Sequence, residues 1–219
     1  MPTLLDWNAL EHKIRSYIGQ YEDCVSAQPA FTHVVLEYVL SLDPEEIEDS
    51  ITDGPNDRGI DAVYVDSRED HNAIHLFQFK HVSTFSKAKS NFPSGEIDKL
   101  LSFCSDVLEE RDGLEKSCNR LLWGKVQEIW DALKRPRPTF EVHFAGNMLA
   151  LVSTQLQRVQ HALSKYRNFR VNEHTLESVV ALFVERKQPK IDASIKFVDT
   201  NFFERTDGNI RGLIATVEA

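Results

Sequence analysis

The stretch from Asp53 to Lys80 leaves the backbone the fewest choices. Asp53-Gly54-Pro55-Asn56-Asp57-Arg58-Gly59 concentrates the residues that make tight turns. Ile60-Asp61-Ala62-Val63-Tyr64-Val65 then supplies β-formers, and after a polar run from Asp66 to Asn72 so does the segment from Ala73 to Phe79. The pattern predicts a β-hairpin entered through a turn. Side chains alternate along a strand, so Gln78 and Lys80 share one face while Phe77 and Phe79 share the other. A polar row on a strand otherwise suited to burial is costly unless a carboxylate, a metal or a phosphate lies nearby.

Periodicity supplies the surrounding elements. Leu10, Ile14, Tyr17, Ile18 and Tyr21 recur at helical spacing and predict a helix from Trp7 to about Tyr21. Val34, Val35, Tyr38 and Val39 predict a second from about Ala30 to Leu40, ended by Asp43-Pro44. Pro44 to Asp49 forms a further helical turn, with acids at its positive end. Ile97 to Leu108 predicts a helix opened by Ser94, and Leu114 to Leu133 another, stopped by Lys134-Arg135-Pro136. Thr139 to Ala145 alternates as a half-buried strand. A helix from Ser153 to Lys165, a short strand from Phe169 to Val171, and a helix from Thr175 to Phe183 follow. Strands from Ala193 to Phe203 and Ile210 to Val217, joined around Asp207-Gly208-Asn209, close the chain. This order of elements indicates an α/β domain with a mixed sheet flanked by helices. No internal repeat is present, and an end directly after a strand points to the front part of a longer protein.

Composition narrows the partners. The 219 residues carry 34 acids against 25 Lys and Arg, a net charge of −9, which excludes coating nucleic acid by bulk charge but leaves room for a local basic surface. The acids crowd between Asp43 and Asp70. No run approaches the roughly 20 apolar residues a bilayer crossing needs, and no secretory signal opens the chain, so the expectation is a cytoplasmic protein without membrane contact. Cys24, Cys104 and Cys118 are odd in number and lack CxxC spacing. They read as small buried hydrophobes rather than a disulfide framework or a thiolate zinc site. The histidines show no HxxxH or HExxH spacing, which argues against zinc.

The chemistry centres on Asp61, which supplies a negative oxygen from the strand adjacent to Gln78 and Lys80. Magnesium takes a near-octahedral set of oxygens, commonly one or two carboxylates with substrate phosphate and water. Asp61, the Gln78 side-chain oxygen and a scissile phosphate make such a set, and Lys80 is placed to orient the attacking water and balance charge. Asp53 and Asp57 read first as turn formers, either able to serve as an outer acid. Lys87, Lys89 and Lys99, near the motif in sequence, are candidates to meet substrate phosphates. Lys134, Arg135 and Arg137 read as a solvated helix end, and Trp123 and Trp130 as a packing pair on one helix face.

Asp57-x-Gly59-Ile60-Asp61 followed by Gln78-x-Lys80 resembles the PD-(D/E)XK nuclease superfamily, in its Mrr-like branch, where Gln replaces an acid. The segment ITDGPNDRGIDAVYVDSREDHNAIHLFQFKH, with the late strand IRGLIATVEA, looks most like the amino-terminal part of AIPR proteins, a family linked to abortive infection against phage. The resemblance covers about the first 110 residues with a specific motif and the remainder, 111–219, only loosely, as the rest of the same domain or a closely packed subdomain. It implies a restriction-endonuclease-like core. It also implies a Mg2+ site, with Mn2+ able to substitute, held by Asp61, Gln78 and a further acid on the preceding helix, at Glu37, with Lys80 as catalytic lysine. Nucleic acid is the implied substrate, double-stranded DNA first with RNA as the alternative, and a homodimer and a carboxy-terminal domain are the implied partners. Two departures stand out: Pro55 occupies a usually glycine-rich turn, and Gln78 brings no charge. The acidity favours an alternative, a weak or inactive nuclease-like module for nucleic-acid binding or protein assembly.

Overall fold

The computed structural model describes residues 2–21, 24–67, 72–95, 97–166 and 168–184, and the backbone of 197–207 and 210–217. Its contacts divide the chain into two units, Met1–Glu185 and Arg186–Ala219.

The first unit opens with α1, Leu4–Tyr17, fixed at its start by a capping box: Asp6 N–H donates to Thr3 Oγ1 at 3.1 Å, and Thr3 N–H donates to the Asp6 carboxylate at 3.0 Å. The helix stops short of Tyr21 because Gly19 turns left-handed, at φ 78°. Helix α2, Ala27–Leu40, is buried on every side from Ala30 to Leu36. Helix α3, Pro44–Ser50, starts as its sequence predicts, with Pro in the first turn and a second capping box between Asp43 and Glu46.

Strand β1, Ala62–Asp66, and strand β2, Ala73–Lys80, pair antiparallel. A short helix α4, Phe85–Ala88, and α5, Ile97–Leu108, lead on. The long helix expected from Leu114 is divided: a 3-10 turn, Leu114–Ser117, precedes α6, Arg120–Leu133. Asn119 causes the break, since its side chain accepts from Leu122 N–H at 2.8 Å and so restarts the helix. Strand β3, Thr139–Gly146, helix α7, Ser153–Leu163, strand β4, Phe169–His174, and helix α8, Leu176–Val184, complete the unit.

The sheet order is β1-β2-β3-β4, with the first pair antiparallel and the other two parallel. This is the mixed α/β arrangement the order of elements indicates. Ile74, Leu76, Val142 and Phe144 bury one sheet face against α5, α6 and α7, where Leu100, Phe103, Ile129 and Val159 meet them. Phe77, Phe79 and Ala145 bury the other against α1, α2 and α8, through Leu10, Ile14, Phe31, Val35 and Val179. Each of the larger side chains contributes roughly 1.5–3 kcal/mol by leaving water. Trp123 and Trp130 pack edge to face at 5.4 Å beside the first core, and Trp130 Nε1 donates to Val107 O at 2.9 Å.

The second unit contains β5, Phe197–Asp207, paired antiparallel with β6, Ile210–Val217. The expected start at Ala193 and the Gly208-Asn209 turn lie outside the described residues, as do residues 68–71 of the first hairpin. Among the described residues no helix is long and apolar enough to cross a membrane.

Candidate metal centre

The turn before β1 is built from left-handed residues. Gly54, Asn56, Arg58 and Gly59 have φ of 143°, 62°, 57° and 76°. Asp57 organises them: its carboxylate accepts from Gly59 N–H at 2.8 Å and Gly54 N–H at 3.4 Å, and its carbonyl accepts from Ile60 N–H at 2.9 Å. Thr52 closes the base of the turn, its N–H donating to Asp61 O at 2.9 Å and its hydroxyl to Ile60 O at 2.7 Å. The outcome is convergence: one carboxylate oxygen from each of Asp53, Asp57 and Asp61 lies within 4.8 Å of the others.

Asp61 is fastened to β2. Its N–H donates to Phe77 O at 2.9 Å and its carboxylate accepts from Phe79 N–H, so it is bound on either side of Gln78. Burial pushes its carboxyl up to about 7, and Asp53 and Asp57 push the same way, while the Phe79 N–H and the Lys80 ammonium pull it down. Lys80 stands at the end of β2, paired with Gly146 of β3. Glycine leaves room opposite it, since a Cβ at 146 would be crowded, 3.2 Å from Lys80 O and 3.0 Å from Met148.

Gln78 is 1% exposed, and its Oε1 finds no hydrogen-bond partner among the described residues. An orphaned buried carbonyl costs about 1–3 kcal/mol. Three carboxylates and an amide oxygen are hard ligands of the type Mg2+ or Mn2+ selects, so the residues present fit such an ion.

The other sequence candidates are placed as follows. Glu37, expected as an inward-facing ligand on α2, accepts a hydrogen bond from the Tyr17 hydroxyl on α1. It does not join the group formed by Asp53, Asp57 and Asp61. Its acid on an apolar helix is accounted for by Tyr17, whose hydroxyl is held protonated by burial and by Glu37. Lys87 and Lys89 stand exposed around α4, with Lys89 Nζ 4.8 Å above the Phe85 ring, and Lys99 is exposed on α5. His81 turns to the opposite side, its Nε2 3.6 Å from Glu11 Oε1 and its ring against Phe31.

Two features escape the sequence. Asp53 and Asp57 share the site as well as shaping the turn, and their four-residue spacing with Asp61 is the one available signal. A chain of imidazoles also crosses three strands: His75 Nδ1 lies 3.1 Å from His143 Nε2, and His143 Nδ1 lies 2.9 Å from His174 Nε2. Burial holds His143 down to about 2 and His174 down to about 4. No spacing announces this chain, because it depends on which strands become neighbours. Comparison of the chain with protein families, curated proteins and solved structures finds no match.

Proposed function

We propose that the chain is a metal-dependent nuclease of the restriction-endonuclease-like type that hydrolyses phosphodiester bonds, with double-stranded DNA as substrate and anti-phage defence in the prokaryotic cytoplasm as its setting. The observation that carries this reading is the convergence of three carboxylates, one of them, Asp61, bonded to β2 on either side of Gln78, whose buried side-chain oxygen is orphaned, with Lys80 two residues further along the strand. The resemblance of the Asp61, Gln78 and Lys80 segment to Mrr-like nucleases supports it from the sequence side.

Asp61, with Asp53, Asp57 and the Gln78 side-chain oxygen, would hold Mg2+ or Mn2+. Such an ion supplies a Lewis acid for a phosphoryl oxygen and a water of lowered pKa. Lys80, whose charge acts on Asp61, is the group to offset charge building on the phosphate and to orient the attacking water. Burial holds the Asp61 carboxyl up to about 7, and a bound cation would favour its carboxylate form. The exposed lysines at 87, 89 and 99 are the nearest basic groups in sequence for the flanking phosphates.

The test is incubation of plasmid DNA with the protein and Mg2+ or Mn2+. Nicking or linearisation is expected from the wild-type chain, with loss of at least a hundredfold in Asp61→Ala and Lys80→Ala. Cleavage undiminished in both variants would sink the assignment.

A further inference from the structure

Arg58 lies inside the acid turn, beside Asp57, yet its guanidinium is not spent on the turn's own carboxylates. It forks the other way: Nη1 donates to Ser117 Oγ at 2.7 Å, and Nη2 donates to Ser102 Oγ at 3.2 Å and Asp106 Oδ2 at 2.7 Å. Asp106 in turn accepts from Arg111 at 2.8 Å. These partners belong to α5 and to the segment leading through the 3-10 turn, and together they line a cavity of about 260 Å³. The Arg58 side chain is only 18% exposed.

That choice of partners is informative. The acid turn concentrates two unfavourable features, three carboxylates brought within 4.8 Å and two non-glycine residues, Asn56 and Arg58, in the left-handed region. Here the cation faces away, the carboxylates are met by backbone N–H groups of Gly54, Gly59 and Phe79 and, at Asp61, by the Lys80 charge, and the turn gains a hold from outside. Asn119 supplies part of it, through its side chain to Thr52 O at 2.8 Å and its N–H to Asn56 O at 2.9 Å. Asn119 also caps α6, so Arg58 is the anchor that serves the turn without starting a helix.

We propose that Arg58, on the reading of the acid turn as a cation site, is that site's positioning residue: its guanidinium ties residues 53–61 to α5, so that Asp53, Asp57 and Asp61 stay converged before any cation arrives. A cation then meets a preformed cradle and does not have to draw three repelling carboxylates together.

The test is residue-resolved hydrogen exchange of the metal-free protein, with Mn2+ affinity as a second readout. In Arg58→Ala the amides of Gly59 and Ile60 exchange at least tenfold faster while those of β2 and β3 keep their protection, and Mn2+ binds at least tenfold more weakly. Arg58→Lys recovers part of both. In the double variant Arg58→Ala with Asp53→Asn, protection at Gly59 and Ile60 returns toward wild type, because the repulsion held in check has been reduced. A purely structural anchor gives no such rescue, and absence of rescue overturns the assignment, as does wild-type protection in Arg58→Ala. Ser102→Ala with Ser117→Ala removes two of the three acceptors and leaves the Asp106 pair, giving the same order of effects at smaller amplitude should Arg58→Ala fail to fold. Exchange is read without metal. A wild-type chain that binds no Mn2+ therefore strikes the cation-site reading and leaves the anchoring result to be judged on exchange alone.

Discussion

Asp61 combines two demands that oppose each other in the metal-free protein. Its carboxyl is buried among two like charges, and its value near 7 stands above the ordinary 3.8, so the folded state holds this proton more tightly than the unfolded chain does. The stability this group contributes is therefore complete below about pH 4 and is given up as pH rises toward 7. Asp61→Asn, which keeps an acceptor for the Phe79 N–H, is expected to stabilise the metal-free protein on the order of 3 kcal/mol at pH 8 and hardly at all at pH 4. Thermal melts at the two pH values check this. Mn2+ affinity of the wild type should rise from pH 6 to 8 for the same reason, since the cation displaces the proton. At this scale the strand that carries Gln78 and Lys80 was legible, and strand alternation alone puts the two on one face. The convergence of Asp53 and Asp57 was not, because it depends on φ angles at Asn56 and Arg58 that their residue types permit without announcing. Glu37 misled for the opposite reason: an acid on an apolar helix needs a partner, and sequence does not say that the partner is a tyrosine twenty residues earlier.

The elements themselves came through, and what the sequence hid was where some of them begin and end. Capping boxes and Pro44 mark where helices begin, whereas the division of the expected long helix at Asn119 hides inside an apolar periodicity that continues across it. Strand β4 extends to His174, three residues past the β-rich stretch, because β3 offers it a partner that far. That extension completes the imidazole chain. His143 and His174 hold values depressed by burial below the ordinary 6.5, so the unfolded chain takes up protons first and stability is lost as pH falls through 6.5 toward 4. Each costs about 2 kcal/mol at pH 5. His143→Gln keeps a donor and an acceptor between its neighbours and cannot charge. It is expected to flatten the fall in melting temperature between pH 7 and pH 5, and an unchanged slope would count against the chain as the source of acid sensitivity.

For the molecule as a whole, the sheet separates two cores that share no helix. Phe31 and Phe103 are both fully buried, one on each side. Phe31→Ala and Phe103→Ala should each cost about 3–5 kcal/mol, and the double variant their sum within about 0.5 kcal/mol, as read from denaturant melts. The α/β class was legible from element order because helices that alternate with parallel strands must cover both faces. The net charge of −9 takes on a local meaning, since three of those acids surround one point.

The fastening of Asp61 to the backbone of β2 carries a mechanical consequence. With its carboxylate held at Phe79 N–H, the acid, the Gln78 amide and the Lys80 ammonium ride on one stiff bar, like teeth cut from a single piece of metal. Helices can slide over either face of the sheet, or a bulky duplex can press against it, and the spacing of those three groups travels unchanged. The Asp53 and Asp57 side of the jaw is set separately, by the turn and by its tie through Arg58 to Asp106.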